Sequence, residues 1–195
     1  MKILHVITGL RKAAGTSVFC CEVCNGLSAR GYDVTLASVA PYDAEKDYVI
    51  DGKVRRILID SLLQGDGNYD VIHIHALWTP ILHKVSNWAH KSNIPVVWSP
   101  HGMLTPWAFR YKWWKKLPAW WLYQKKDLKC ADLIHVTAES EIMDVRRVGL
   151  TNKTIIAPLG VNLPALNRFE HHTRGGGGGG GKFFFRAKKK KEAPP

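Results

Sequence analysis

The sequence predicts an α/β fold: a doubly wound parallel sheet with helices on both faces. Three observations carry this. Seven apolar runs of strand length recur over residues 1–162, most of them rich in Val and Ile, as strands buried on both faces require. Helix-length segments separate several of these runs, and strand–helix alternation means βαβ units. No apolar run approaches the roughly 20 residues that cross a bilayer, so the pattern belongs to a globular domain.

The first predicted strand is Ile3–Ile7. A loop of mostly small residues follows, and then a helix over Thr16–Arg30, with Thr16 or Ser17 as its cap and Gly31 ending it in the left-handed conformation. Strands are expected at Val34–Val39, Val54–Ile59 and Val71–His75. Pro80 suits the first turn of a helix over Pro80–Lys91, and Pro95 opens the strand Pro95–Trp98. Pro118 removes an amide donor inside Pro106–Lys129, which predicts two helices there. After the strand Leu133–Val136, Thr137 can cap a helix over Glu139–Val148, whose first turn carries Glu139 and Glu141 where the helix dipole favours acids. Thr154–Ala157 is the last strand.

Beyond residue 165 the pattern stops. Gly175–Gly181 is an unbroken glycine run, followed by Phe183–Phe185, Lys188–Lys191 and Pro194-Pro195. A glycine run of that length loses too much chain entropy on ordering, so 165–195 is read as a disordered tail. Gly, Phe, Lys and Pro are also the residues of the single-nucleotide codons. A tail of their runs points to homopolymeric or mis-framed DNA, with a genuine flexible basic tail as the alternative.

The net charge of +12 is local. Residues 107–130 hold seven Lys/Arg against one Asp, residues 168–195 hold eight against two Glu, and the remainder balances. A neutral domain with one basic segment and a basic tail argues against nucleic-acid binding, which calls for a basic face spread over the fold. Four cysteines, three crowded at Cys20, Cys21 and Cys24, form no disulfide framework and fit a reducing, cytosolic setting. The N-terminus lacks the cleavage pattern of a signal peptide.

Several residues carry candidate chemistry. The loop through Gly9 and Gly15 precedes a helix N-terminus, whose amides and dipole suit an anion, although it is neither a dinucleotide fingerprint nor a P-loop. His75 and His101, the latter followed by Gly102, fall at the carboxyl ends of strands, where open α/β sheets place their ligands. A histidine there can hydrogen-bond a ligand hydroxyl or move a proton near neutral pH. His73 and His75 share a strand face, but no third metal ligand is apparent at a supporting spacing, so no metal is expected. Cys20 and Cys24 share a helix face and are read as core. Trp107, Lys112, Trp113, Lys116 and their neighbours interleave aromatic and basic residues, which suits an anionic membrane surface, with packing against the domain as the alternative.

Taken in order, these pieces resemble the family 4 (GT-B) glycosyltransferases. The resemblance rests on the opening Met1–Val39 with Arg30-Gly31-Tyr32-Asp33-Val34-Thr35, on Asp70-Val71-Ile72-His73-Ile74-His75 and on Pro100-His101-Gly102. It continues in Ala131-Asp132-Leu133-Ile134-His135-Val136-Thr137 and in Ala157-Pro158-Leu159-Gly160-Val161-Asn162. It implies that residues 1–164 are the N-terminal, Rossmann-like half of a GT-B fold, the half that mainly holds the acceptor. It implies sugar transfer with retention, from a nucleotide-sugar to a glycan or lipid-linked acceptor, with no cofactor and no metal. By the same resemblance His101 lies near the transferred sugar, and Gly15, Thr16, His75, Gly102 and Glu139 bind substrate. Cytoplasmic placement follows, on the inner membrane face, in cell-surface polysaccharide synthesis. Ala14-Gly15 stands where the family usually has paired glycines. The family's donor-binding Arg/Lys pair and E-x7-E motif have no counterpart in the sequence, so the expectation is a truncated or mis-framed product, inactive alone.

Overall fold

The structure, a computed structural model, describes residues 1–65, 67–158 and 160. The predicted tail and the predicted domain end at residue 164 lie outside the described residues. Met1–Gly160 form one compact unit.

Seven strands make a single sheet in which every neighbouring pair is parallel. They are β1 (Lys2–Val6), β2 (Asp33–Ser38), β3 (Arg55–Leu58), β4 (Val71–His75), β5 (Val96–Ser99), β6 (Leu133–Val136) and β7 (Thr154–Ile156), ordered β3-β2-β1-β4-β5-β6-β7. The order reverses at β1, next to β4, and in an open sheet of this kind that switch is where ligands bind. All seven sequence-predicted strands are present. The runs of the inner strands are buried on both faces by helical packing, whereas the edge strands β3 and β7 are largely exposed.

The faces differ in chemistry. On one face Leu4, Val6, Ile72, Ile74, Val96, Trp98, Ile134 and Val136 build the main core. There they meet α2 (Ile59–Leu63), α3 (Pro80–Lys91), α6 (Lys125–Cys130) and α7 (Glu139–Arg147). Fully burying one such side chain is worth about 1.5–3 kcal/mol. The opposite face is covered by α1 (Gly15–Ala29), which buries Ser17, Cys20, Cys21, Cys24 and Ser28 at helical spacing. Under α1 the middle strands carry histidines instead of aliphatic residues.

The local signals at helix ends hold in part. Gly31 has φ +85°, and the amides of Gly31 and Tyr32 return to the carbonyls of Ser28 and Leu27, closing α1 as a left-handed C-terminal motif. Pro80 opens α3 at the expected residue. The caps assigned from sequence are different in the fold. The residue before α1 is Ala14, with no side-chain cap, and Ser17 instead donates its hydroxyl to the Gly9 carbonyl at 2.8 Å. The residue before α7 is Ala138, and Glu141 folds back to accept from both the amide and the hydroxyl of Thr137.

The long segment after β5 also breaks elsewhere than expected. It forms α4 (Pro106–Arg110), α5 (Trp113–Ala119), a π-helical turn Trp120–Gln124, and then α6. The break falls at Lys112, whose φ of +52° no helix accommodates. Pro118 is carried inside α5. Its missing amide and its ring oppose the carbonyl one turn earlier, and widening of the next turn to π geometry continues the helix past that defect.

Candidate functional site

The carboxyl edge around the switch point collects five imidazoles. The register sets His5 of β1 directly beside His73 of β4, and His75 directly beside Ser99 of β5. His135 enters from β6, and His101 from the turn after β5. Phe19 of α1 closes over the group, with its ring centroid 5.0–5.9 Å from those of His101, His135 and His75. Since Phe19 lies one helical turn after Gly15, the start of α1 and the histidines occupy the same end of the sheet.

Hydrogen bonds divide the imidazoles into two chains. In the first, His73 Nε2 lies 2.6 Å from Ser99 Oγ, Ser99 Oγ lies 2.7 Å from His135 Nδ1, and His135 Nε2 meets the Ala157 carbonyl at 3.0 Å. The carbonyl only accepts, so His135 carries a proton on Nε2. The Ser99 hydroxyl then donates to His135 Nδ1 and accepts from His73 Nε2–H.

In the second chain, His5 Nδ1 lies 3.0 Å from His75 Nε2, and His75 Nδ1 lies 3.0 Å from His101 Nε2. His5 Nε2 is buried without a partner. A bare N–H in a core is costlier than a bare acceptor, which places a lone pair on that nitrogen. His5 Nδ1–H then donates to His75, His75 Nδ1–H donates to His101, and His101 keeps its proton on Nδ1, offered to whatever occupies the edge.

Burial holds four of these rings, His5, His73, His75 and His101, uncharged. It pushes the pKa of His5 and of His101 down to about 4, the latter helped by His135. His73 and His75 are lowered further below the ordinary value, by burial first and then by the neighbouring imidazoles. At neutral pH the cluster is a set of directed donors and acceptors, not a cationic patch.

The backbone at this edge is unusual. His101 and Gly102 have φ of +51° and +70°, and Ala76 and Trp78 after β4 have +72° and +74°. Consecutive left-handed residues turn the chain sharply, and non-glycine residues there mark strain that the surroundings must hold. Trp98 Nε1–H donates to the Ala76 carbonyl at 2.8 Å. Gln124 accepts from the Trp78 amide at 2.7 Å, and Tyr123 donates to the Trp78 carbonyl at 2.9 Å. The π-helical turn thus holds the loop that follows His75.

The sequence-predicted residues fare differently. Gly15 is exposed at the first position of α1, and a Cβ there would meet nothing within 4 Å, so the fold leaves room for a ligand beside it. Thr16 is half-buried next to it. His101 and Gly102 are also half-buried at the same edge. His75, expected to bind substrate, is instead 0% exposed and stacked against His101, so it bears on a ligand only through that ring. Glu139 is exposed at the first position of α7, whereas Glu141 lies by Gly102. Trp107, Trp113 and Lys112 are exposed as a surface site requires. Lys116 is not: it donates to the Ala108 carbonyl and lies 5.5 Å over the Trp78 ring, so it faces the domain. Sequence reasoning missed His5, His135, Ser99 and Phe19. The available signal was a histidine near the carboxyl end of β1 and β6 as well as β4. A hollow of about 300 Å³, lined by Lys2, Asp33 and Arg55 among others, lies at the amino end of the sheet, away from this chemistry.

Comparison with known proteins places this edge in context. Residues 13–164 match the profile of Glycosyltransferase Family 4. No curated protein matches the chain. Among solved structures, Anabaena HepE in complex with UDP and glucose superposes with a TM-score of 0.59 at 13% identity, over 83% of this chain and 45% of that one. Its complex with UDP-glucose gives 0.59 at 14%, over 83% and 44%. A sucrose-phosphate synthase structure from Thermosynechococcus elongatus gives 0.50 at 14%, over 83% and 91%. At these identities the likeness is one of fold. The chain spans less than half the length of the HepE chain.

Proposed function

The chain belongs to Glycosyltransferase Family 4, and from that premise we propose that residues 1–164 are the acceptor-side half of a retaining glycosyltransferase. The enzyme moves a sugar from a nucleotide-sugar to a glycan or lipid-linked acceptor, in cell-surface polysaccharide synthesis at the cytoplasmic face of the membrane. The nucleotide-sugar is substrate, and the transfer uses no resident cofactor. UDP-glucose bound to HepE supports that donor class.

The observation that carries this reading is the placement of His101. Its ring stands at the carboxyl edge on a left-handed backbone, at the same end of the sheet as the start of α1. The first amides of a 15-residue helix lack intrahelical partners and lie at its positive end. Near Gly15 and Thr16 they suit a diphosphate or an anionic acceptor. His101, uncharged at neutral pH, offers Nδ1–H to a hydroxyl of the transferred sugar, and His75 holds the ring in that orientation. Charge on the departing diphosphate is met mainly by a second domain, so turnover requires one, in the same chain or supplied to it.

The test is a fusion of a family C-terminal domain after Asn162, assayed with a panel of nucleotide-sugars. Transfer should appear in the fusion and be absent from the 195-residue chain. His101→Ala should lower it about 10²-fold, the scale of losing one positioned donor. Turnover by the 195-residue chain, or a fusion indifferent to His101→Ala, would overturn the assignment.

A second reading, contact with an anionic membrane, is favoured by one observation. Trp107, Trp113, Trp114, Trp121 and Leu122 are 55–78% exposed, beside the exposed Lys112 and Lys115. Apolar side chains of that size, left in water together with cations, suit a lipid headgroup boundary. Among the described residues no helix is long and apolar enough to cross a membrane, so contact is peripheral in this part of the chain. Anionic liposomes should retain the chain, more weakly as salt rises. Replacing Trp107, Trp113 and Trp121 with Ser, the tail kept constant, should cut retention severalfold. Retention unchanged by those substitutions would remove this segment from the interface.

A further inference from the structure

We propose that His5, Cys20 and Cys24 bind one thiophilic d10 metal ion, Zn2+ or Cu+, between β1 and α1. The imidazole comes from the middle of the strand, and the thiols come from one face of the helix that covers it. Spacing of four residues puts both cysteines on that face. All three side chains are sealed from solvent, at 1%, 0% and 0% exposure. One ring nitrogen and the two sulfurs lie within 4.8 Å of one another. Bonds of about 2.0–2.3 Å from a single ion bring such donors to roughly 4 Å apart, so small side-chain adjustments suffice.

A second observation points to the same ion. His5 Nε2 is buried with no hydrogen-bond partner. His5 Nδ1 is already engaged by His75 at 3.0 Å. A histidine ligand is arranged this way: its N–H is given to an outer partner, which fixes the tautomer, and its lone pair is turned to the metal. An imidazole retained only for packing leaves that nitrogen without compensation, where Leu or Val would leave none.

The chemistry of the donor set selects the ion. Thiolate and imidazole together favour zinc or cuprous copper over magnesium or calcium. Ligation as thiolates releases the thiol protons to solvent while two metal–sulfur bonds and one metal–nitrogen bond form, with no change of oxidation state. Two thiolates cancel the charge of Zn2+, so its complex buries no net charge, while Cu+ leaves a single negative charge. Among the described residues this cluster has three donors, which suits three-coordinate Cu+, or Zn2+ completed by a water. The ion pins α1 to β1. It also holds His5 Nδ1–H as a donor toward His75, the orientation that leaves His101 Nδ1–H free.

The test uses the full 195-residue chain, purified without an affinity tag. Elemental mass spectrometry should find about one ion per chain after dialysis, and its identity separates zinc from copper. Co2+ added to the stripped protein should give a sulfur-to-cobalt charge-transfer band. C20A/C24A should lose ion and band together. C130S and H171A/H172A, which remove the exposed thiol and the adjacent histidines of the C-terminal segment, should keep both. Should C20A/C24A fail to fold, X-ray absorption on the wild-type metal complex decides: two sulfurs near ~2.3 Å and a nitrogen near ~2.0 Å are expected. A first shell of nitrogen and oxygen alone, no charge-transfer band in the wild type, or an ion kept by folded C20A/C24A would overturn the proposal.

Discussion

Under α1 the sheet buries imidazoles, while the segment from α4 to the π-helical turn leaves four tryptophans in water. The first region puts polar rings in the core and the second puts the largest apolar side chains outside it. Each inversion has a cost. Buried polar atoms must be hydrogen-bonded to be tolerated, and exposed indoles forgo the burial that would stabilise the fold. The histidines meet the requirement with two directed chains, which leave His5 Nε2 as the buried nitrogen of the cluster without a partner. The tryptophans meet it only if something else covers them. The face of the sheet packed on α3, α6 and α7 carries no imidazole; its central strands are aliphatic apart from Trp98, and Thr35 of β2 is buried beside Leu4. Such departures, at one sheet edge and in one surface segment, are what the two functional readings rest on. The two regions also touch. Gln124 and Tyr123 of the π-helical turn grip the Trp78 backbone, three residues after His75, so displacement of the exposed segment bears on the histidine chain.

The same substitution made once in each environment tests the comparison most strongly. Trp98 is 0% exposed and donates to the carbonyl of the left-handed Ala76, whereas Trp121 is 71% exposed. Trp98→Ala should lower the unfolding free energy by about 3–5 kcal/mol in urea titrations. Trp121→Ala should change it by no more than about 0.5 kcal/mol while weakening liposome retention. Equal stability losses at the two positions would mean that Trp121 packs on the domain, and the surface half of the comparison would fall.

Acid separates the regions next. His5 and His101 are held at about 4 when folded, against 6.5 for a free imidazole. Below 6.5 the unfolded chain takes up protons that the folded one refuses, so stability falls as pH drops from about 6.5 toward 4, and His73 and His75, also held well below the ordinary value, add to the loss as pH falls. His5, almost wholly buried, accounts for about 3 kcal/mol of that loss on its own. Urea midpoints measured at intervals across the window should fall steadily, and a flat profile would show that the imidazoles stay hydrated. No histidine lies between Trp107 and Lys129, so liposome retention should hold steady over the pH range in which the domain stays folded.

The sheet was legible because β-branched runs of four to six residues leave few alternatives once helices alternate with them. Pro80–Lys91 was legible to the residue, having Pro at its start and polar residues at its end. The segment from Pro106 was harder. Pro118 carries a strong breaking signal, but a helix can absorb a missing amide by widening its next turn, and packing of Trp120 and Gln124 into the core favours that outcome. Nothing local in Lys112 announces φ +52°. At the site, His101 and Gly15 could be placed from strand ends alone. The partnership of His5 with Cys20 and Cys24 could not, because it joins a strand to the helix above it and depends on the rotation of α1. His75 was misjudged for a related reason. Its position on the strand was right, but the cover supplied by Phe19 and His101 comes from elsewhere in the chain.

The smallest effect on folding is expected at Gly15, where it separates stability from function most cleanly. The glycine keeps an ordinary φ, and an added Cβ would meet no atom within 4 Å. Alanine there loses less chain entropy on folding, so Gly15→Ala should leave stability unchanged or raise it by up to about 1 kcal/mol. The same methyl group would stand at the mouth of the helix, beside the amides assigned to the diphosphate or acceptor. In the two-domain fusion it should raise KM for one substrate by roughly tenfold, the equivalent of about 1.4 kcal/mol of binding. His101→Ala should instead lower kcat, because the sugar contact is assigned to the transfer step. If Gly15→Ala leaves both KM values untouched, ligands approach this edge from the His101 side alone, and the start of α1 is an ordinary strand-to-helix turn.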